Sequence, residues 1–214
     1  MAETNDHELL VAWRDGDRRA GSRLIARYVR PLHRFFINKV RREQDVEELA
    51  QRTFTALVES VDRFRGEASL RTWVYAIARN VLREWARERS KRERVDFGTV
   101  SVEELGIGAG TAIDGRREHQ RMLEALRRLP LETQVLLELY FLQQLTAREI
   151  ANIDGIPEGT VRNRIRLARR DLGRIIDELR GETDLISSTP EALDDWARSI
   201  REAWSGPTTR GTAP

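Results

Sequence analysis

Residues 145–172 read LTAREIANIDGIPEGTVRNRIRLARRDL, and this stretch decides the fold. Thr146 and Glu149 stand in the Ser/Thr-x-x-Glu spacing, in which the hydroxyl accepts from a backbone N–H and the carboxylate reaches back to the cap. A helix therefore starts near Thr146. Gly155 supplies the positive φ that a chain needs just past a helix end, and Ala151 is small where two helices must cross closely. Pro157 suits the first turn of a second helix, where its missing N–H would have had no partner. From there Val161, Ile165, Ala168 and Leu172 recur at three- and four-residue steps and predict a buried stripe. Residues 160–174 carry six arginines and one aspartate. The reading is a helix-turn-helix whose second helix presents a basic face of the size and charge that a major groove accepts.

Composition is compatible with that reading and excludes several others. The 214 residues contain no cysteine, which removes disulfides, zinc-thiolate sites and thiol nucleophiles from consideration. No apolar run has the length of a membrane span, and MAETNDHELL lacks a basic start followed by an apolar core, so a cytoplasmic protein with no membrane insertion is expected. The net charge of +2 is unevenly placed: residues 177–214 hold four of the 37 basic and eight of the 35 acidic residues. That leaves residues 1–176 basic by six charges. Of the basic residues only Lys39 and Lys91 are lysine, and arginine suits forked contacts to phosphate and guanine.

Taken in order, the chain predicts an all-α protein. Helices are expected over 7–15 and 17–40, separated at Asp15-Gly16-Asp17, with Pro31 a kink or a junction. Asp45 and Glu48 form a second capping pair for a helix running to about Val61. Ser69 caps the next, which extends to about Arg89 and carries Leu70, Trp73, Val74, Ile77, Val81, Leu82 and Trp85, more apolar positions than one stripe needs. Exposed aromatic surface beside Arg65, Arg71, Arg79, Arg83 and Arg87 is therefore expected, a combination that holds single-stranded nucleic acid. Residues 91–116 show no sustained period and read as a flexible linker with at most one short turn. Helices resume at 117–128 and 131–142. The domain boundaries follow: 1–90, a linker at 91–116, 117–180, and an acidic extension at 181–214.

With both halves in view, the chain resembles bacterial RNA polymerase sigma factors of the extracytoplasmic-function type, which keep sigma regions two and four. The resemblance rests on DVEELAQRTF at 45–54, FRGEASLRTWVYAIARNVLREWARER at 64–89, LRRLP at 126–130 and the helix-turn-helix, and covers roughly 8–180. It implies two helical domains, core RNA polymerase as partner through its β′ clamp helices and β subunit, promoter DNA, and an anti-sigma protein, with no cofactor, no metal and no catalysis. By position it implies Asp45, Glu48 and Gln51 as polymerase contacts, with Arg52 standing where the family commonly has an acid. Phe64, Ser69, Arg71, Trp73 and Asn80 would form or support a pocket for a base flipped from the minus-ten element, with Arg83 and Arg87 on its backbone. Glu158, Thr160, Arg162, Asn163, Arg166, Arg169 and Arg170 would face the minus-thirty-five duplex.

Two further readings compete with this one. A conventional helix-turn-helix regulator that never joins polymerase leaves the aromatic segment 45–89 unexplained. An enzyme is disfavoured because His7, His33 and His119 are scattered and neither a phosphate loop nor HExxH occurs; Asp45, Glu47 and Glu48 likewise lack a histidine at ligand spacing. The stretch STPEALDDWARSIREAW at 188–204 can form an amphipathic helix with Leu193, Trp196, Ala197, Ile200 and Trp204 on one side. It is either a loosely attached tail or a segment that packs on the protein's own domains or on a partner.

Overall fold

A computed structural model of the chain describes residues 5–40, 42–89, 96–101, 117–179 and 190–205. Among these the protein is all-α. The first domain comprises α1 (Asp6–Arg14), α2 (Arg18–Ile37), α3 (Glu43–Ser60) with a 3-10 turn at Val61–Arg63, and α4 (Leu70–Arg89). The second comprises α5 (Arg117–Arg128), α6 (Leu131–Phe141), α7 (Ala147–Asp154) and α8 (Glu158–Leu179); α9 (Pro190–Ser205) follows.

In the first domain α2, α3 and α4 pack in sequence around Leu24, Leu32, Phe35, Phe36, Val46, Leu49, Ala78, Leu82 and Trp85, all buried. Gly21 lets α1 approach α2 closely, since a Cβ there would lie 2.8 Å from the Trp13 ring. Pro31 falls within α2, which runs on to Ile37, so it marks no junction. The expected Asp45 cap is not formed. Arg42 occupies the capping position without a side-chain bond, and the Asp45 carboxylate instead pairs with Arg89 at 3.0 Å. A full counter-charge at the end of α4 has displaced a local amide as its partner.

The helix-turn-helix forms as read. Glu149 N–H donates to Thr146 Oγ1 at 3.2 Å while Thr146 N–H donates to Glu149 Oε2 at 2.8 Å, so the capping box is reciprocal. Gly155 closes α7 at φ 65°. Ala151, Val161, Ile165, Ala168 and Leu172 are buried where α7 and α8 meet.

Part of the expected linker has a structural task. Residues 96–101 lie along the start of α6, where the N–H groups of Leu131 and Glu132 donate to the carbonyls of Val100 and Phe97, each at 3.0 Å. Pro130 precedes α6 and makes no side-chain cap, so the linker backbone satisfies amides that a helix start leaves open. Phe97 is buried, with the Arg87 guanidinium 5.6 Å from its ring centre.

The two domains are packed together. At the end of α2, Lys39 is wholly buried and its ammonium bonds the Glu138 carboxylate of α6 and the Phe35 carbonyl. Asn38 Nδ2 donates to Glu138 Oε1 at 3.2 Å, and Gln134 Nε2 donates to the same oxygen at 2.8 Å. Burial pulls the Lys39 ammonium below its ordinary pKa, opposed by Glu138.

Glu138→Leu would strand a buried charge, at an expected cost of roughly 3–5 kcal/mol. Thermal denaturation together with small-angle scattering should show a lower Tm and a larger radius of gyration. Adding Lys39→Met should recover most of both, because the unpaired charge is then gone.

Candidate nucleic-acid interface

A basic surface open to solvent lies on α8. Val161, Ile165, Ala168 and Leu172 turn inward to the second domain's core, which leaves Arg162, Asn163, Arg166 and Arg170 exposed. The Arg162 side chain is 72% exposed and that of Arg170 70%. Arg162 Nε and Nη2 both donate to Glu158 Oε1, at 2.9 and 2.6 Å, and Arg166 Nη2 donates to Asn163 Oδ1 at 2.9 Å. These contacts orient forked donors along one face, and Thr160 is exposed beside them. Arg169 differs: it pairs with Asp194 of α9 at 3.0 Å and is only 20% exposed.

A second candidate surface is the segment 64–89. Phe64 is buried and stacks on the half-buried Trp73, with ring centres 4.8 Å apart and planes inclined at 36°. Arg14 fixes this corner by donating to the carbonyls of Val61 and Phe64. Ser69 caps α4, accepting from Thr72 N–H at 3.1 Å. A cavity of about 490 Å³ opens against this loop, lined by Phe64, Ser69, Arg71, Leu70, Asp6 and Arg27 among others. Three of the residues expected at a base pocket thus share one hollow. Asn80 and Arg87 lie exposed farther along α4. The contribution from α1 and α2 leaves no local signal, because Asp6 and Arg27 stand far from the motif in the chain. The exposed aromatic surface expected on α4 is reduced to the half-buried Trp73, since Tyr75 and Trp85 are buried in the core.

Another face of α4 is occupied by the second domain. Ser69 and Thr72 hydroxyls donate to Glu149 Oε1 at 3.3 and 3.2 Å, and Tyr75 O–H donates to Gln143 Oε1. Arg79, nearly buried, bridges Glu132 at 2.7 Å and Asp154 at 3.0 Å, while Arg83 pairs with Glu132. Of the expected DNA residues, Ser69 and Arg83 therefore hold carboxylates of α6 and α7 here. Thr72, Tyr75 and Arg79 were not singled out as a set by sequence; their spacing along one helix face was the available signal.

These contacts move two carboxyl groups in opposite directions. Burial acts to raise Glu149, but the amide and hydroxyl of Thr146 and the hydroxyls of Thr72 and Ser69 outweigh it and hold it below its ordinary value. Burial raises Asp154, aided by Glu132, and the nearby arginines only partly offset this.

On α3, Asp45 and Glu48 face Arg89 at 3.0 Å each, and Glu48 also meets Arg52 at 2.8 Å. Gln51 lies on the other flank, in a groove of about 710 Å³ between α2 and α3 with Val29, Glu47, Phe54 and Val58. Val29 and Val58 are each 48% exposed there. Among the described residues no group of three or more His, Asp or Glu side chains is placed to hold a metal ion. No helix among them is long and apolar enough to cross a membrane.

Comparison with known proteins bears on both surfaces. Residues 24–92 match the family described as sigma-70 region 2, and residues 119–172 match sigma-70 region 4. The chain is 28% identical to the ECF RNA polymerase sigma-E factor of Haemophilus influenzae over 189 residues, covering 84% of this chain and all of that one. It is 30% identical to the RNA polymerase sigma factor HrpL of Pseudomonas syringae over 157 residues, covering 72% and 85%. Its fold is similar to that of the sigma factor RpoE of Bartonella quintana, solved in complex with the anti-sigma factor NepR, with TM-score 0.53, 22% identity and coverage of 70% and 92%.

The depressed Glu149 carboxyl contributes stability that is complete above its ordinary value near 4.5 and is lost as pH falls through the lowered folded value. The Tm difference between wild type and Glu149→Gln should therefore be constant above about pH 5 and shrink below it. Calorimetry across that range checks the sign.

Proposed function

This chain belongs to the sigma-70 family as an extracytoplasmic-function sigma factor, and from that footing we propose how its two domains divide promoter recognition. Residues 1–90 bind core RNA polymerase and open the minus-ten element; residues 117–180 read the minus-thirty-five element as duplex. The observation that carries this reading is the pairing of a region 2 match with a region 4 match whose α8 presents Arg162 and its neighbours to solvent.

The chemistry supports each half. Unstacking and unpairing a base costs free energy that is offset when the extruded base is stacked and hydrogen-bonded in a pocket. The hollow beside Phe64, Ser69 and Arg71 offers an apolar wall next to a hydroxyl and a guanidinium. Asn80 can donate and accept toward a base edge, Trp73 supports the Phe64 wall, and Arg83 and Arg87 meet backbone. Arg83 serves only once Glu132 has released it. On duplex, Arg162 and Asn163, oriented by Glu158 and flanked by Thr160, specify bases, while Arg166, Arg169 and Arg170 position the helix on phosphates.

Polymerase docking belongs to α3. Gln51 lines the α2–α3 groove, whose apolar floor and flanking Glu43 and Glu47 suit a basic amphipathic partner helix, while Glu48 stands on the other flank beside Arg52 and Arg89. Asp45 is nearly buried and acts through Arg89. An anti-sigma protein is a further partner, a reading supported by the RpoE–NepR complex. The protein acts as a specificity subunit in the cytoplasm, with the chemistry left to polymerase.

Reconstituted holoenzyme should select a defined promoter from random DNA and give run-off transcripts from it. Transcript-free binding of promoter duplex by the chain alone would instead identify a conventional regulator. On the selected promoter, Asn80→Ala should lower permanganate reactivity of the melted strand while leaving polymerase association intact. Arg162→Ala should weaken recognition of the upstream element by about 1–3 kcal/mol, measured by competition against mutated minus-thirty-five sequences.

A further inference from the structure

The described part of the acidic extension, α9, is docked on the second domain. Leu193, Trp196, Ala197 and Ile200 form the buried side of α9, which packs against α6. Arg201 donates to the Phe141 carbonyl at the end of α6. Asp194 projects from the same helix to Arg169, whose guanidinium also lies 5.2 Å from the centre of the Phe141 ring. Arg169 is thus held on one side by an aromatic face and on the other by a carboxylate. Arg162, Arg166 and Arg170 on the same helix remain open to solvent. Leu193 also closes one end of a trough of about 970 Å³ that runs along α8 past Ile165, Arg166, Arg170 and Arg174.

We propose that α9 is a built-in counter-charge that withdraws Arg169 from DNA: docked, it lowers the affinity of α8 for phosphate, and released, it returns one cation to the interface. The charge pattern favours this assignment. Residues 190–205 carry four acids against two arginines in an otherwise basic chain, and Asp194 engages an arginine of the phosphate-positioning end of α8. The base-reading end, at Thr160–Asn163, is left uncovered. The device therefore tunes sequence-independent affinity and leaves sequence choice alone, because phosphate contacts position and base contacts specify.

The proposal rests on the reading of α8 as the DNA-facing helix, and the test separates the two. A random-sequence 30-base-pair duplex is titrated with the full chain at several salt concentrations, followed by fluorescence anisotropy. Asp194 is half exposed, so Asp194→Asn removes the pairing without disturbing the buried side of α9, which circular dichroism verifies. Returning Arg169 to phosphate contact should steepen the slope of log K against log salt by about 0.9, equivalent to a roughly 3.5-fold larger affinity loss between 50 and 200 mM salt. Deleting residues 190–214 should reproduce that change. Adding Arg169→Ala to Asp194→Asn should return the slope to the wild-type value. The proposal is overturned if Asp194→Asn leaves the slope unchanged while Arg170→Ala, at an exposed phosphate-positioning residue, still reduces affinity, or if the gain persists without Arg169. If Arg170→Ala also has no effect, the assignment of α8 itself fails.

Discussion

A buried ammonium and a buried carboxylate hold this molecule in its present arrangement. Removing Lys39 and Glu138 from water is costly, and only close approach with further hydrogen bonds offsets it. Those bonds come from both domains: Asn38 and the Phe35 carbonyl from α2, Gln134 from α6. The two charges come from different domains, so parting the domains parts the pair. The contact is therefore close to all-or-none, and it fixes how α4 lies against α6 and α7. Once α4 is seated, Thr72, Tyr75, Arg79 and Arg83 meet Glu149, Gln143, Glu132 and Asp154 in turn.

The packing sorts the candidate site into two groups. Asn80, Arg87 and most of the α8 arginines are open to solvent, whereas Ser69 and Arg83 already hold carboxylates. Glu149 stands at the junction of both roles. It closes the capping box that starts the helix-turn-helix, and with its other oxygen it accepts from α4. A single side chain thus ties the local start of α7 to the relative placement of the two domains.

Much of this could be read from sequence where the cause is local. Thr146 and Glu149 are three residues apart, and Gly155 needs only its own backbone freedom, so the helix-turn-helix was legible in full. So was the apolar side of α9, whose Leu193, Trp196, Ala197 and Ile200 follow helical spacing. What was not legible came from distant partners. Asp45 looks like a cap until Arg89 arrives from the far end of α4. Lys39 and Glu138 are 99 residues apart, and Arg79 and Glu132 are 53 apart; no periodicity announces such pairs. Residues 91–116 lack a pattern, yet Phe97 and Val100 cap α6 with carbonyls that every residue type possesses. Backbone acceptors leave no trace in composition.

The occupied face of α4 has a consequence for how such a protein spends its time among chromosomal sites. Genomes offer about a million to a billion incidental sites for every correct one, and any cation left bare is drawn to all of them. With Arg79 and Arg83 neutralised internally, a solitary chain forfeits part of that indiscriminate attraction. Exposing those two cations first requires breaking their contacts with Glu132 and Asp154.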